Sequence, residues 1–230
     1  MARRPIFVPL HDSKRYVLER YLEFEWHPGF ARSQKQKSIR ALHDMALQEY
    51  GVRQPLEVSS KSDQPLGVAL SSFNLTFTTK LGRTLTVEAA FQGSKVFENG
   101  GPFLDILDKS PVDAKRDVRL KTSGDLIKFS FFSVDWLLEP KTAFYDWLYI
   151  NALLKNLDLA KQVTDCDGFT DIEFNPEKSI NCQARSVALY CALFHNDQLE
   201  FALESRSNFL SLYKGKVSDP HVPEKVQYLI

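Results

Sequence analysis

The sequence is short of cysteine and has no excess of either charge. Its three cysteines, Cys166, Cys182 and Cys191, are odd in number and include no Cys-x-x-Cys pair, which argues against both a disulfide framework and a zinc site. The 29 basic and 29 acidic residues cancel. Because proteins that coat nucleic acid non-specifically are usually basic, we expect any contact with nucleic acid to come from a local patch.

Long apolar runs are also missing. No segment approaches the roughly 18 apolar residues that a membrane span requires. The apolar stretch in MARRPIFVPL, at residues 1–10, is too short for a signal peptide and has no cleavage pattern. We therefore expect a protein that makes no contact with a membrane and is located in the cytoplasm.

The composition is otherwise that of a globular protein, with 43% hydrophobic residues in a chain of 230, enough for a substantial core. Strand patterns cover residues 6–10 and 16–26, and helical spacing predicts a helix from Ser33 to Tyr50 that Gly51 ends. Since no repeat or long linker is visible, the pattern favours one α+β domain, mostly helical with a small sheet. We predict a main domain over residues 56–215. An N-terminal β-α elaboration, residues 1–55, packs on it, and residues 216–230 form a C-terminal tail.

The remaining elements are predicted from apolar spacing and capping residues. A hairpin is expected near Gly82, and Trp136 falls in a short loop before Pro140. Thr86 is a plausible N-cap. Helices are predicted over 86–97, 105–109, 111–120, 141–155, 180–194 and 199–212, and strands over 55–62 and 126–132.

An acidic residue and a lysine lie seven positions apart in the helix predicted from Thr86. That interval is close to two helical turns, so Glu88 and Lys95 would project from one face with Phe91 and Gln92 between them. The helix dipole favours the ionised form of Glu88 in the first turn. A lysine among apolar residues loses affinity for its proton when buried and can then act as a nucleophile. The alternative interpretation is an exposed charged stripe.

A second polar cluster is the segment DGFTDIEFNPEKSINCQAR, residues 167–185. Asp171 and neighbouring carboxylates precede a predicted helix for which Ser179 could act as the N-cap. Asn181 and the backbone N–H groups of the first turn could hold a phosphate or a sugar hydroxyl, or Ser179 and Asn181 could be caps only. The spacing of the carboxylates does not match an EF-hand, so we expect no metal.

Two further features have both a functional and a structural interpretation. The loop LGVALSSFN, residues 66–74, is rich in hydroxyls, so Ser71 and Ser72 could line a ligand cleft or form a turn that enters a strand. Its glycine spacing matches neither a dinucleotide fingerprint nor a P-loop. Trp136 could stack on a base beside a cleft, or lie in the core.

In their order along the chain, these sequence motifs resemble those of the NADAR family, which has a YbiA-like fold. The family's helix, written Ser-Glu-x-x-Phe-Gln-x-x-Lys-Phe, resembles residues 87–96 (VEAAFQGSKV), with the same interval from glutamate to lysine. The family's serine-containing loop resembles residues 70–73, and its Ser-Pro-x-x-Ala-Arg motif resembles residues 110–116. Its tryptophan corresponds to Trp136, and its closing motif resembles residues 170–181. The resemblance covers about residues 56–195, and the ordered set of motifs is more specific than any one of them.

Several phrases resemble the branch of this family that serves as antitoxin beside DarT-type DNA ADP-ribosyltransferases. They include FEWHPGFARSQKQKSI, LEVSSKS, FQGSKVFENGGP and EPKTAFYDWLYINALL. The chain departs from many relatives in two places, since Thr170 stands where tryptophan is common and Cys182-Gln183 replaces arginine and leucine. These departures bear on the identity of the substrate more than on the type of reaction.

The resemblance implies a hydrolase that cleaves the N-glycosidic bond between ADP-ribose and the exocyclic amine of guanine in DNA, and so reverses the action of a DarT-type toxin. Lys95 would be the nucleophile, Glu88 would transfer protons or accept hydrogen bonds from ribose hydroxyls, and Asp171 would position the lysine or the ribose. Substrate contacts would come from Ser71, Ser72, Phe91, Gln92, Trp136, Thr170 and Asn181. ADP-ribose would be the product, and no metal, NAD or other cofactor would be required.

Two other interpretations stay open. Some relatives hydrolyse N-glycosidic bonds in riboflavin-pathway intermediates, so the substrate could be a small metabolite. The basic residues Arg32, Lys35 and Lys37 favour contact with DNA instead, unless they form an exposed charged face. The chain could also be a binding module for ADP-ribose or for the toxin, although the presence of both Glu88 and Lys95 argues against that.

Overall fold

The computed structural model describes residues 1–12, 15–215 and 217. Apart from residue 217, the predicted tail over 216–230 lies outside the described residues. The first half of the chain forms a long antiparallel hairpin, one long helix and a series of short elements. These are β1 (Ala2–Asp12), β2 (Arg15–Phe24), α1 (Arg32–Tyr50), β3 (Pro55–Glu57), α2 (Pro65–Ala69), β4 (Thr76–Thr78), β5 (Thr84–Thr86), α3 (Val87–Gly93) and β6 (Lys95–Phe97).

The second half opens with a 3-10 helix (Leu104–Asp108) and is mainly helical. Its further elements are α4 (Pro111–Arg116), α5 (Arg119–Thr122), β7 (Leu126–Phe131), β8 (Val134–Trp136), α6 (Ala143–Leu154), α7 (Leu157–Val163), β9 (Gly168–Thr170), α8 (Gln183–His195), α9 (Leu199–Glu204) and α10 (Arg206–Ser211). The predicted α+β class, with more helix than strand, is confirmed. Across the described ranges, no helix is long and apolar enough to cross a membrane.

One four-stranded sheet joins the N-terminal hairpin to strands from the rest of the chain, in the order β2-β1-β9-β3. β3 runs parallel to β9, with Glu57 opposite Thr170. Both faces of the sheet are covered, because Ile6 packs in a cluster with Ile39 of α1 and Phe7, on the opposite face, belongs to the cluster that contains α8. The chain that follows β9 is thereby fixed beside β3.

Helix α8 lies at the centre of the main core. Every residue from Gln183 to Leu193 is buried, because α8 contacts α6 as well as β1, β2 and β9. α6 in turn packs against α3, where the centre of the Phe91 ring lies 6.3 Å from that of Phe144 and 5.0 Å from that of Tyr145. Each of these helices thereby buries an apolar face against the other.

α3 is shorter than the sequence predicts. It begins as expected, since Thr86 Oγ1 accepts a hydrogen bond from the Ala89 N–H at 3.2 Å. It ends at Gly93, however, and Lys95–Phe97 pair with β7 so that Lys95 lies opposite Phe129. The prediction of a helix through residue 97 is therefore wrong, because bonds to a distant strand replace helical bonds in these last residues. Glu88 and Lys95 do not share a helix.

The helix predicted from Ile180 begins three residues later. Its first residue is Gln183, and Cys182 before it has extended backbone at the N-cap position. Ser179 is therefore not the N-cap, and Asn181 precedes the helix instead of joining its first turn. Both predictions were wrong because residues 176–178 form a turn, in which the Ser179 N–H donates to the Asn175 carbonyl at 3.0 Å, and the helix begins only after Cys182.

Three other element predictions need correction. The single helix predicted over residues 199–212 is interrupted at Ser205, whose extended backbone separates α9 from α10 and whose hydroxyl caps α10. The first part of the loop predicted over residues 66–74 belongs to α2, which begins at Pro65, and a proline is favourable in the first turn of a helix. Trp136 lies in β8 rather than in a loop.

Candidate active site

Glu88 is buried at the start of α3. Only 5% of its surface is exposed, and both carboxylate oxygens accept hydrogen bonds, Oε1 from Gln92 Nε2 at 2.9 Å and Oε2 from the Ser72 hydroxyl at 3.2 Å. The backbone N–H of Glu88 also donates to the carbonyl of Ser72 at 3.0 Å. The loop of residues 71–74 is thus held against the helix, as expected if Ser72 belongs to the same site.

The side chain of Gln183 connects that loop to Asp171. Its Oε1 accepts from the backbone N–H of Ser72 at 2.7 Å, which fixes the orientation of the amide. Its Nε2 then donates to the carbonyl of Val58 at 2.6 Å and to Asp171 Oδ2 at 3.0 Å. Glu88 and Asp171, which are far apart in sequence, are therefore joined through only two intervening residues.

Lys95 is half-buried on β6 beside this group. Its Nζ lies 4.9 Å from the centre of the Phe91 ring, a cation–π contact. Burial lowers the pKa of Lys95 to about 8, while the charge of Glu88 raises it and that of Lys115 lowers it. Lys95 is therefore close enough to Glu88 to respond to its charge. At neutral pH, roughly one amine in ten is neutral at a pKa of 8.

Aromatic rings surround this lysine and glutamate. Phe91 is buried, and its ring centre lies 5.4 Å from that of Phe129 and 5.0 Å from that of Tyr145. Burial and the charge of Glu88 raise the pKa of Tyr145 well above its usual value, so this hydroxyl keeps its proton. The structure thus brings Phe91 and Gln92 together with Lys95 and Glu88.

Two amide oxygens of predicted site residues are buried with no hydrogen-bond partner among the described residues. They are Gln92 Oε1 and Asn181 Oδ1. Unpaired buried acceptors are uncommon in proteins, and the missing donor can be a water molecule or a hydroxyl of a ligand. Asn181 is half-buried and lies two positions before Gln183, which places it at the edge of the group that contains Asp171.

Ser71 and Trp136 are engaged in local structure. Ser71 is buried, and its hydroxyl oxygen accepts from the Phe73 N–H at 3.3 Å within a turn. Trp136 is 3% exposed, and its ring centre lies 5.1 Å from that of Trp147. Phe129 on β7 lies between Lys95 on β6 and Trp136 on β8, so one strand separates the tryptophan from the lysine. The contact of either residue with a substrate stays a prediction.

Thr170, the residue before Asp171 in the chain, is fully buried. Its hydroxyl donates to Glu57 Oε2 at 2.7 Å and lies 2.8 Å from His43 Nε2. Burial and then the charge of Glu57 raise the pKa of Asp171 well above its usual value. Burial lowers the pKa of His43 to about 4, so its ring is neutral near pH 7.

The basic residues at the start of α1 lie near the Asp171 loop. Arg32 Nη2 donates to the carbonyl of Ser62 at 2.7 Å. Lys35 Nζ lies 3.2 Å from Glu173 Oε1, and Lys37 is exposed. Arg32 and Lys35 therefore hold the helix against neighbouring loops, and their contact with DNA stays a prediction.

Three residues of this region were missed at the level of sequence. Gln183 was noted only as a departure from relatives, and that departure was the available signal. Glu57 offered a signal too, as a carboxylate between the apolar Leu56 and Val58 of a predicted strand. Nothing in the sequence distinguishes Tyr145 from the other apolar residues of its helix.

One cavity among the described residues is not lined by these side chains. A cavity of about 250 Å³ is lined by Arg83, Ser94 and Phe132, among others, and by no predicted site residue. In the part of the chain that the structure describes, no group of three or more His, Cys, Asp or Glu side chains could hold a metal ion.

The sequence was compared with known proteins and protein families. The family described as the DarT1-associated NADAR antitoxin matches residues 2–222, a span that contains Glu88, Lys95 and Asp171. No curated protein matches the chain.

Proposed function

The chain belongs to the family of DarT1-associated NADAR antitoxins, and we propose that it is an N-glycosidase that removes ADP-ribose from guanine bases in DNA. Its products are free ADP-ribose and unmodified guanine. As an antitoxin it then acts by reversing the modification that a DarT-type toxin makes, and needs no lasting contact with the toxin.

The position of Lys95 carries this proposal. A half-buried amine with a pKa of about 8, beside the buried carboxylate of Glu88, has the two properties that a lysine nucleophile requires. A share of it is neutral at the pH of a cell, and the charge of a carboxylate that can serve as the base acts on it. An exposed charged stripe, the alternative at the level of sequence, does not agree with the burial of Glu88.

The reacting atom is C1 of the sugar, which carries both the ring oxygen and the nitrogen of the base. The neutral amine of Lys95 gives its electron pair to C1 while the bond from C1 to the exocyclic nitrogen of guanine breaks. The leaving nitrogen takes up one proton, and Nζ gives one to Glu88. Opening of the sugar ring forms a Schiff base at C1. Water then adds to C1, and cleavage of the C1–Nζ bond releases ADP-ribose and the free amine.

The surrounding groups fit roles in binding. The unpaired oxygens of Gln92 and Asn181 can accept hydrogen bonds from ribose hydroxyls. The bonds through Ser72 and Gln183 hold Glu88 and Asp171 in one arrangement, and such preorganisation limits the reorganisation that the reaction requires.

The proposal is tested with a single-stranded oligonucleotide that carries ADP-ribose on the exocyclic amine of one guanine. Released ADP-ribose is measured by chromatography with mass detection. The matched control carries ADP-ribose on a ring nitrogen of thymine, which has no exocyclic amine. We expect release from the guanine substrate and at least about a hundredfold slower release from the thymine substrate.

The alternatives give different results in the same assay. Release from small N-ribosyl metabolites but not from the oligonucleotide would show a metabolic glycosidase. Binding of ADP-ribose without any release would show a binding module. Either result would overturn the proposal, as would neutralisation of the toxin by a preparation that leaves the modified guanine intact.

A further inference from the structure

Two carboxylates are buried at neighbouring positions of the paired strands β3 and β9, next to the candidate active site. Glu57, the last residue of β3, is 1% exposed, and Asp171, the first residue after β9, is 8% exposed. The parallel pairing of these strands sets Glu57 opposite Thr170, next to Asp171 in the chain. Glu57 accepts hydrogen bonds from both residues that flank Asp171 in the chain, Thr170 and Ile172. Two buried carboxylates in such neighbouring positions oppose each other's ionisation, which favours a single proton on the pair.

The hydrogen bonds around Glu57 favour its ionised form. Its Oε1 accepts from the Ile172 N–H at 2.8 Å and from the Ser59 hydroxyl at 2.5 Å, and its Oε2 accepts from the Thr170 hydroxyl at 2.7 Å. Each donor stabilises the negative charge. Burial raises the pKa of Glu57, and these three donors oppose that rise, which favours the proton of the pair on Asp171.

Asp171 receives fewer donors than Glu57 does. Its Oδ1 accepts from the Glu173 N–H and its Oδ2 from Gln183 Nε2, both at 3.0 Å. These bonds are longer than the three around Glu57, and the carboxylate of Glu57 opposes a second negative charge beside it. Asp171 is thus the member of the pair that keeps its proton.

His43 completes the arrangement from α1. Its ring is neutral, and with the hydrogen on Nε2 it donates to Thr170 Oγ1 at 2.8 Å, which directs the hydroxyl hydrogen of Thr170 to Glu57.

Other titratable groups face the pair, but Glu57 is the strongest influence on Asp171. They are Glu173 and its ion-pair partner Lys35, His43, Tyr149 of α6 and Cys182 before α8. Burial raises the pKa of both Tyr149 and Cys182 well above their usual values, so neither is charged near pH 7. The side chain of Glu173 is 43% exposed and lies 3.2 Å from Lys35, which balances its charge.

We propose that Glu57 is a positioning residue that keeps a proton on Asp171, so that Asp171 is the proton donor to the nitrogen that leaves the sugar. This inference rests on the proposed function. When the bond from C1 to the base nitrogen breaks, that nitrogen takes the electron pair of the bond and the proton of Asp171, which becomes a carboxylate. The water that later adds to C1 gives its oxygen to the sugar and a proton back to Asp171.

The test is Glu57→Gln, which keeps the shape and removes the charge. Carboxyl carbons of Asp and Glu are labelled with carbon-13, and Asp171 is assigned from the signal lost in Asp171→Asn. We expect Asp171 to be protonated at pH 7 in the wild type and to titrate at lower pH in Glu57→Gln. The matched control is Glu173→Gln, in which the titration of Asp171 should move much less.

Activity supplies the second readout. Because the acid form of Asp171 is required, kcat should fall at high pH, and in Glu57→Gln this alkaline limb should move to lower pH. Above its pKa, the acid form falls about tenfold for each unit by which that pKa is lowered. A purely structural role for Glu57 would lower activity without moving the limb.

A second pair of variants keeps the test decisive if Glu57→Gln does not fold. Thr170→Val removes the hydroxyl that donates to Glu57 with little change of shape, and Thr170→Ser keeps it. We expect Thr170→Val to move the titration of Asp171 in the same direction as Glu57→Gln, but by less. Thr170→Ser should leave that titration as it is in the wild type.

The carbon-13 result does not depend on activity. An ionised Asp171 at pH 7 in the wild type, or an unchanged titration in Glu57→Gln, would overturn the proposal, as would an alkaline limb that stays in place. If the wild type releases no ADP-ribose from any substrate, the proposed function and the donor role fail together. The titration then still shows whether the proton lies on Asp171.

Discussion

The Nζ atom of Lys95 lies 4.9 Å from the centre of the Phe91 ring. Lys95 on β6 lies opposite Phe129 on β7, so the two side chains share one face of the sheet. The ring removes water from the amine, and burial is the main reason why the pKa of Lys95 falls to about 8. The ring of Phe91 thus contributes to the burial that lowers the pKa of Lys95 and raises the fraction of neutral amine.

The pH dependence of catalysis follows from that value. The proposed nucleophile is the neutral amine of Lys95, so kcat/KM for the modified oligonucleotide should rise with pH toward pH 8, up to the alkaline limb expected from Asp171. Initial rates between pH 6 and about 9.5 at constant ionic strength measure both limbs. A rate that does not rise between about pH 6 and 7.5, or a limb near the ordinary lysine value of about 10.4, would contradict the assignment.

Replacing Lys95 tests covalent catalysis directly. Lys95→Ala should lower kcat by roughly 10⁴-fold while ADP-ribose still binds, because loss of a covalent nucleophile costs far more than loss of one partly exposed charge. Lys128→Ala is the matched control. Lys128 lies opposite Val96 on the neighbouring strand and pairs with Asp135 at 2.6 Å, so its loss should leave the rate nearly unchanged.

Borohydride provides the chemical part of that test. Added during turnover, it should reduce the Schiff base and leave an ADP-ribosyl mass on a peptide that contains Lys95 of the wild type. No adduct should form on the Lys95→Ala protein. An adduct on another lysine, or full turnover by the variant, would eliminate Lys95 as the nucleophile and leave Glu88 and Asp171 as a plain acid–base pair.

Much of the site follows from the sequence, and the part that does not depends on pairing between distant segments. The family motif identified Glu88, Lys95 and Asp171, but the helix was extended through Lys95 because residues 94–97 have no local signal against it. Their strand conformation comes from bonds such as Ser130 N–H to the carbonyl of Ser94, at 2.7 Å. Local pattern cannot predict a bond to a partner so far along the chain.

Burial of charge was also beyond the sequence. A glutamate in a three-residue strand usually faces water, yet Glu57 is buried because helices cover both faces of its sheet. Only the fold shows that three donors are available there. Gln183 is similar, since its part in joining Ser72 to Asp171 depends on α8 beginning at that residue.

Two opposite charge changes should move the lysine limb in opposite directions. Glu88→Gln removes the charge that raises the pKa of Lys95, so the limb should move below pH 8 while the plateau falls about a hundredfold or more from loss of the base. Lys115→Gln removes a charge that lowers that pKa, and its limb should move above pH 8. Because Lys115 is exposed, added salt should shrink only its shift. Shifts in the same direction would contradict this electrostatic account.

A buried ion pair between α6 and α8 should be required for stability. Asp146 is 1% exposed and contacts Arg185 at 2.5 Å, Ser186 at 2.6 Å and Tyr213 at 2.6 Å. Asp146→Asn removes the charge that balances the buried guanidinium, and we expect a loss of about 3–5 kcal/mol in the free energy of unfolding. Denaturation by urea measures it.

The control for that variant is Asp135→Asn. Asp135 also makes a short ion pair, but its side chain is 53% exposed, so water screens the interaction and we expect less than about 1 kcal/mol. Equal losses from the two variants would show that burial does not determine the strength of these pairs.

The last prediction separates two reasons for glycine in this fold. Gly101 and Gly82 both have positive φ, +96° and +77°, so alanine is strained by its backbone at either position. At Gly82 a Cβ atom would meet nothing within 4 Å, whereas at Gly101 it would lie 2.3 Å from the carbonyl oxygen of Lys95. That oxygen is backbone and cannot move aside like the end of a side chain. Gly82→Ala should therefore cost about 1 kcal/mol and keep full activity. Gly101→Ala should cost several times as much in the free energy of unfolding, and the folded protein that remains should react slowly because the backbone of Lys95 must shift. Urea denaturation of both variants, with rates corrected for the folded fraction, decides the matter. Equal costs would mean that φ alone requires glycine at residue 101, and that the approach to Lys95 has no consequence.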